Sequence, residues 1–293
     1  MDTPAARPPF LQRLGTFIRF SHTVFALPFA LISMLVAGEG RVTSRAFGWI
    51  LLSAAAARTV AMCFNRLVDW EIDKRNPRTE GRHKLVSKSQ AWLTLVLSGA
   101  LTFFATYNLN SLCFGLTPLM LVILCFYSLT KRFTAFSHLF LGIALAVAPA
   151  GAWVAIKASL WALEPFVLGF AVLAWTFGFD LIYSTLDSDF DRQHGLFSFP
   201  SRYGIPAALR LAKSLHVIAA LTFIAFGWVA RLGPGYSVAC VITLGALLWE
   251  HRLAATLDPG QINRAFFQIN ALVSMTLLAG TLIDFKAWRF LSF

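Results

Sequence analysis

Residues 46 to 64 read Ala46-Phe47-Gly48-Trp49-Ile50-Leu51-Leu52-Ser53-Ala54-Ala55-Ala56-Ala57-Arg58-Thr59-Val60-Ala61-Met62-Cys63-Phe64, an apolar run broken by one charge, Arg58. The chain then turns polar at Asn65-Arg66-Leu67-Val68-Asp69-Trp70-Glu71-Ile72-Asp73-Lys74-Arg75. The first part is about as long as a helix needs to be to cross the hydrocarbon core of a bilayer. If the helix continues, Asn65, Asp69 and Asp73 are successive i, i+4 neighbours and present three oxygen-bearing side chains on one face. The stretch therefore reads as a membrane helix that ends in a stripe of oxygen donors.

A similar pattern recurs at Asp180-Leu181-Ile182-Tyr183-Ser184-Thr185-Leu186-Asp187-Ser188-Asp189-Phe190-Asp191-Arg192. Asp180, Tyr183, Asp187 and Asp191 fall at i, i+3, i+7 and i+11, whereas Asp189 lies off that stripe. Eight of the 14 acidic residues lie between 69 and 80 or between 180 and 191, so acidity is concentrated where a membrane chain can least accommodate it. Carboxylates this close repel one another when desolvated, and a bound cation relieves that repulsion. Oxygen-only donors suit Mg²⁺, which takes a few carboxylates and completes its shell with water and phosphate oxygens, so a phosphate-bearing substrate is expected. The Gly and terminal Glu of an EF-hand loop are missing at the required offsets.

Composition sets the class. The 293 residues are 57% hydrophobic and 13% charged, which places the chain among membrane proteins. The expected fold is all-α, one domain over residues 1–293, with nine transmembrane helices around a central cavity. The apolar segments run roughly 21–38, 46–64, 91–107, 112–130, 137–156, 162–180, 211–230, 233–249 and 265–283. The N-terminal tail and the loops at 65–90, 131–136, 181–210 and 250–264, with nearby helix ends, hold 19 of the 25 Lys and Arg residues. By the positive-inside rule the N-terminus and both acidic stretches face the cytoplasm and the C-terminus lies outside. Residues 1–20 carry Arg7, Arg13 and Arg19 without a separate apolar stretch, so the first span is expected to serve as its own insertion signal. The net charge of +11 then needs no nucleic-acid partner, since a basic cytoplasmic surface meets anionic membrane lipid and anionic substrates.

Other residues admit two readings. Arg58, two turns before Asn65 and inside a span, either snorkels to the interface or pairs with an anion in the bundle. Arg66, Lys74, Arg75 and Arg78 form either a salt-bridged helix end or contacts to phosphate oxygens. Lys131 and Arg132, which close Tyr127-Ser128-Leu129-Thr130-Lys131-Arg132, are either a topology signal or a diphosphate contact. Cys63, Cys113, Cys125 and Cys240 lie in apolar segments without a C-x-x-C pair and read as small buried hydrophobes. The six histidines form no H-x-x-x-H pair, and most read as packing or interfacial residues. There is no Walker loop or G-x-G-x-x-G to support nucleotide binding.

In these motifs the chain resembles the UbiA superfamily of intramembrane aromatic prenyltransferases. The resemblance is carried by Phe20-Ser21-His22-Thr23-Val24-Phe25-Ala26-Leu27-Pro28, by Arg58 to Thr79, by Tyr127 to Thr134, by Gly178 to Asp191 and by Ser198-Phe199-Pro200-Ser201-Arg202-Tyr203-Gly204. It implies nine helices around a cavity, two Mg²⁺ ions, a polyprenyl diphosphate and an aromatic acceptor. By matching positions, Asn65, Asp69 and Asp73 would hold one ion and Asp180, Asp187 and Asp191 the other. Arg66, Lys131 and Arg132 would meet the diphosphate, and Arg58 and Tyr183 the acceptor. The family's first motif often reads N-D-x-x-D, and here Arg66 takes the second place. After Gly81-Arg82 the usual Leu-Pro-x-Gly is replaced by His83-Lys84-Leu85-Val86, which leaves the shape of that loop open. The subgroup most resembled acts on 4-hydroxybenzoate in ubiquinone synthesis; some of its members resemble enzymes that use 1,4-dihydroxy-6-naphthoate for menaquinone.

The chemistry is self-consistent. Ionising an allylic diphosphate puts charge on the leaving group, which Mg²⁺, Lys and Arg stabilise as it develops. A phenol then attacks the allylic carbon, and Asp180, deepest in the second motif, is the candidate base. A transporter is the rival from another class, but transporter sites lie near the midplane on broken helices, unlike carboxylates at helix ends. CDP-alcohol phosphotransferases also carry Asp-rich motifs, but their Asp-Gly start is not reproduced. The site is expected at the cytoplasmic face of a bacterial inner membrane.

Overall fold

The computed structural model describes residues 8–19, 23 and 25–291, with side chains described as far as residue 285. Part of the motif at 20–24 (Phe20, Ser21, His22 and Val24), Arg7 in the tail, the side chains of Lys286 and Arg289, and the C-terminal Phe293 lie outside the described residues.

The described chain is all-helical. Eight stretches are long and apolar enough to cross a membrane: Ser44–Val68, Lys88–Tyr107, Ser111–Thr130, Ser137–Lys157, Glu164–Gln193, Ile205–Val229, Pro234–Ala254 and Pro259–Phe285. The first expected span is shorter than the sequence suggests. Among the described residues it is helical over Leu27–Ala37, 11 residues, or about 16 Å at 1.5 Å per residue. Pro28, in the first turn, fits a helix start because it lacks an N–H to donate. Gly38 ends the helix, and Glu39 and Gly40 turn the chain away at φ 51° and 72°. The segment still connects the two ends of the bundle: Arg13 donates to the Leu85 carbonyl at one end, and Glu39 pairs with Lys157 at 3.6 Å at the other.

In chain order the helices are α1 (Phe10–Phe17), α2 (Leu27–Ala37), α3 (Ser44–Val68), α4 (Trp70–Arg75), α5 (Lys88–Tyr107), α6 (Ser111–Thr130), α7 (Ser137–Lys157), α8 (Glu164–Ser184), α9 (Ser188–Gln193), α10 (Phe199–Tyr203), α11 (Ile205–Val229), α12 (Pro234–Ala254), α13 (Pro259–Arg264) and α14 (Asn270–Leu291). Local chemistry sets many boundaries. Thr43 caps α3, Ser87 and Gln90 form a reciprocal capping box at α5, and Asn110 caps α6 through the Cys113 N–H at 2.9 Å.

Helix α8 is the central post, packed against α7 and α11 and lined with buried Leu168, Ala171, Val172, Trp175 and Phe179. Lipid tails are as apolar as these side chains, so close packing rather than the hydrophobic effect holds such helices together. Gly142 of α7 permits that approach, since a Cβ there would stand 2.7 Å from the Leu173 carbonyl of α8. Exposed Leu97, Val122, Leu221 and Val241 on α5, α6, α11 and α12 face outward, as lipid-facing positions do. Between α13 and α14 the chain makes a π-helical turn, Ala265–Ile269, a form frequent at functional sites. It sets Phe266 against Tyr183, ring centroids 4.0 Å apart.

Candidate active site

The C-terminal ends of α3, α6 and α8 and the N-terminal end of α7 meet at one end of the bundle. With α4, α9 and the segments that follow them, they enclose a cavity of about 320 Å³. Asn65, Asp69 and Asp73 line one wall, and Asp180, Asp187 and Asp191 another, with Arg58, Arg66, Lys131 and Tyr183 between them. Helical spacing produces each stripe, and packing brings the two together.

The first wall is closed by cations. Asp69, 3% exposed, accepts from Lys131 Nζ at 2.5 Å and from Arg132 Nη2 at 3.1 Å. Asp73 accepts from Arg82 Nη1 at 3.0 Å and lies 3.5 Å from Arg66 Nη1. Asn65 donates to Ser128 Oγ at 3.2 Å, and its Oδ1 accepts from Arg66 at 3.2 Å. Arg82 sits in the short 3₁₀ turn Glu80–Lys84, the form taken by the loop whose shape the sequence left open. Burial, with Arg66 nearby, pushes its pKa down to about 10.

The second wall is tied to the first. Arg78 donates from Nε to Asp187 Oδ1 at 2.9 Å and from Nη2 to Oδ2, while Asn76 Nδ2 donates to the same carboxylate at 3.2 Å. Burial opposes the charge on Arg78, but the Asp187 bonds outweigh it, and its pKa is raised. Arg78 Nη1 also donates to the Tyr183 hydroxyl at 2.6 Å, and Arg19 Nη1 does so at 3.3 Å. Residues 76 to 78 thus bridge the two acidic motifs. Asp180 accepts from His138 Nδ1 at 2.6 Å. Arg58 donates from Nη2 to the Arg19 carbonyl at 3.0 Å, while its Nε is buried without a hydrogen-bond partner.

Of the residues that the family resemblance assigns to the site, all but Arg132 line this cavity; Arg132 reaches its edge through Asp69. Lys74 pairs with Glu71 on an exposed face and Arg75 is exposed, so the phosphate contact considered for them is not supported. Asp189, off the stripe, is exposed beside Arg192. Sequence reasoning missed Arg19, Arg82, Asn76 and His138. Most histidines are expected to pack or to sit at an interface; His138, four residues beyond the Tyr127 to Thr134 motif, instead meets Asp180.

The donor chemistry fits a hard divalent cation: five carboxylates and an amide oxygen face one cavity, alongside cations able to take up a diphosphate. Among the described residues no three His, Cys, Asp or Glu side chains converge on one point, and Asp69, Asp73 and Asp187 are each held by Lys or Arg.

The sequence matches the UbiA prenyltransferase family over residues 26–272. It is 26% identical over 278 residues to the 4-hydroxybenzoate octaprenyltransferase of Sodalis glossinidius (strain morsitans), covering 94% of this chain and 92% of that one. It is 25% identical over 258 residues to the enzyme of that name from Vibrio atlanticus (strain LGP32), covering 87% and 90%. The apo structure of a UbiA homolog from Aeropyrum pernix K1 superposes with a TM-score of 0.82 at 30% identity, covering 90% of this chain and 98% of that one. A UbiA homolog from Archaeoglobus fulgidus bound to GPP and Mg²⁺ shares the fold, with a TM-score of 0.67 at 19% identity over 92% and 99% of the two chains.

Proposed function

The chain belongs to the UbiA prenyltransferase family, and from that premise we propose that it transfers a polyprenyl group from a polyprenyl diphosphate to an aromatic hydroxy acid of the 4-hydroxybenzoate type, in quinone biosynthesis. The observation that carries this reading is one cavity in which two oxygen-donor walls, a set of Lys and Arg side chains and a half-buried, half-partnered arginine stand together. Asn65, Asp69 and Asp73 would hold one Mg²⁺ and Asp180, Asp187 and Asp191 the other. When bound, the metal supplies Lewis-acid stabilisation of the charge that develops on the leaving diphosphate.

The chain's own residues do the rest. Lys131, Arg132 and Arg66, now held by carboxylates, are the cations that a diphosphate would recruit, and their preorganisation at the cavity wall spares the cost of ordering them. Arg58 lies about 10 Å further along α3 than Asn65, at seven residues of 1.5 Å rise. Its free Nε–H suits the carboxylate of the acceptor, and Tyr183, stacked on Phe266, offers that ring a flat neighbour. Asp180 is the candidate to take up the proton lost by acceptor or ring. 1,4-Dihydroxy-6-naphthoate carries the same carboxylate and ring hydroxyl and is the second acceptor reading. Transport is disfavoured because the carboxylates gather at one end of the bundle instead of at its middle.

The eight long helices and the family make this an integral membrane protein. We place it in a bacterial inner membrane with nine crossings, α2 being the ninth, and with the cavity toward the cytoplasm. The distribution of Lys and Arg supports that orientation. The deciding assay incubates membranes containing the protein with a polyprenyl diphosphate, Mg²⁺ and each aromatic acid in turn. A prenylated 4-hydroxybenzoate identified by mass is expected; product from the naphthoate alone would replace the acceptor, and product from neither would sink the reading.

A further inference from the structure

Asp180 differs from the other paired aspartates of the cavity in the kind of partner it has. Asp69, Asp73 and Asp187 are each held by a guanidinium or ammonium group, whereas Asp180, among the described residues, is held by the imidazole of His138. The His138 side chain is 6% exposed and Asp180's is 19% exposed, so the contact is shielded but opens onto the cavity. His138 is the second residue of α7, and Asp180 lies one turn before the end of α8.

The other ring nitrogen fixes the tautomer. The backbone N–H of Phe199, at the start of α10, donates to His138 Nε2 at 3.4 Å. A nitrogen that accepts must carry a lone pair, so the ring proton is on Nδ1 and is donated to Asp180 Oδ2 at 2.6 Å. An imidazole held this way donates through Nδ1–H. It orients the carboxylate through a single ring N–H, where a lysine or arginine would bring several donors. It also ties the segment before α10 to the site, a segment anchored again where Phe197 N–H donates to the Lys131 carbonyl at 2.8 Å.

We propose that His138 is a positioning residue for Asp180, holding one carboxylate oxygen through Nδ1–H so that the other is presented toward the cation and substrate side of the cavity. The proposal rests on the reading of Asp180 as a metal-facing carboxylate. Ligating carboxylates are themselves oriented by hydrogen bonds, and loss of such a partner typically weakens metal affinity about 10- to 100-fold.

The test is a titration of the detergent-purified full chain with Mn²⁺ alone, free and bound metal being distinguished by electron paramagnetic resonance. Wild-type protein is expected to bind Mn²⁺. His138→Phe fills the space without a donor and is expected to bind about 10- to 100-fold more weakly. His138→Asn keeps an amide N–H close to where Nδ1 stands and is expected to restore affinity to within a few-fold. If His138→Phe does not fold, His138→Ala serves as the donorless variant. Unweakened binding by the donorless variant, or binding by His138→Asn as weak as by that variant, would overturn the role of His138 while leaving the metal reading intact. Wild-type protein that binds no Mn²⁺ would instead overturn the metal reading, and this proposal with it.

Discussion

Lys131 and Asp69, 62 positions apart in the chain, meet at 2.5 Å across the junction of α6 and α3. The carboxylate is almost fully buried while the ammonium side chain keeps 29% of its surface exposed. That asymmetry leaves the Lys131 ammonium open to an incoming anion while Asp69 holds it in place. Substituting Lys131→Met is expected to raise the apparent KM for the polyprenyl diphosphate about tenfold. This is the lower end of the 1.5–3 kcal/mol range for a charged hydrogen bond, because solvent already screens the group. An unchanged KM for the diphosphate would remove Lys131 from the substrate site.

The metal reading makes a direct demand. Chelator should abolish prenyl transfer and added Mg²⁺ should restore it, and Asp69→Ala and Asp187→Ala should each cost roughly 10²-fold or more in turnover. Full activity in chelator, measured by product mass, would refute the assignment of both acidic walls.

Arg58 has one guanidinium edge committed to the Arg19 carbonyl and a buried Nε without a partner. If that edge reads the acceptor, Arg58→Ala should weaken apparent affinity for the aromatic acid by about ten- to a hundredfold, equivalent to about 1.5–3 kcal/mol, with little change for the diphosphate. Lys at this position should rescue poorly, since it lacks the planar fork. The reverse pattern in the two apparent affinities would assign Arg58 to the wrong substrate.

Orientation can be checked with reporters. One inserted near Gly81 should report the cytoplasm and one fused after Phe293 the opposite side. The same side at both points would contradict the seven crossings placed between them, those of α5, α6, α7, α8, α11, α12 and α14.

At the far end of the bundle, Asp284 of α14 accepts the N–H groups of Gly233, Gly235 and Tyr236 at 2.8, 2.8 and 2.9 Å, capping α12 from a neighbouring helix. Asp284→Ala leaves these donors without the acceptor and should cost about 1–3 kcal/mol in stability. A lowered unfolding midpoint with intact turnover per folded molecule is expected; an unchanged midpoint would show the cap to be dispensable.

Sequence alone determined what depends on near neighbours. The length of an apolar run, the i, i+4 spacing of Asn65, Asp69 and Asp73 and the stripe through Asp180, Asp187 and Asp191 are local, so helices and donor faces could be read from them. Even there, Pro28 and the turn at Gly38 to Gly40 cut the first helix to 11 residues, since backbone conformation overrides hydropathy. Tertiary structure decided which cation meets which carboxylate. Arg78 and Asp187 lie 109 positions apart, Lys131 and Asp69 lie 62 apart, and His138 and Asp180 lie 42 apart. Such pairs form only where helices of fixed length pack side by side. The residue types were visible from the start, but the imidazole on Asp180 and the cations on Asp69, Asp73 and Asp187 are set by how α3, α6, α7 and α8 come together.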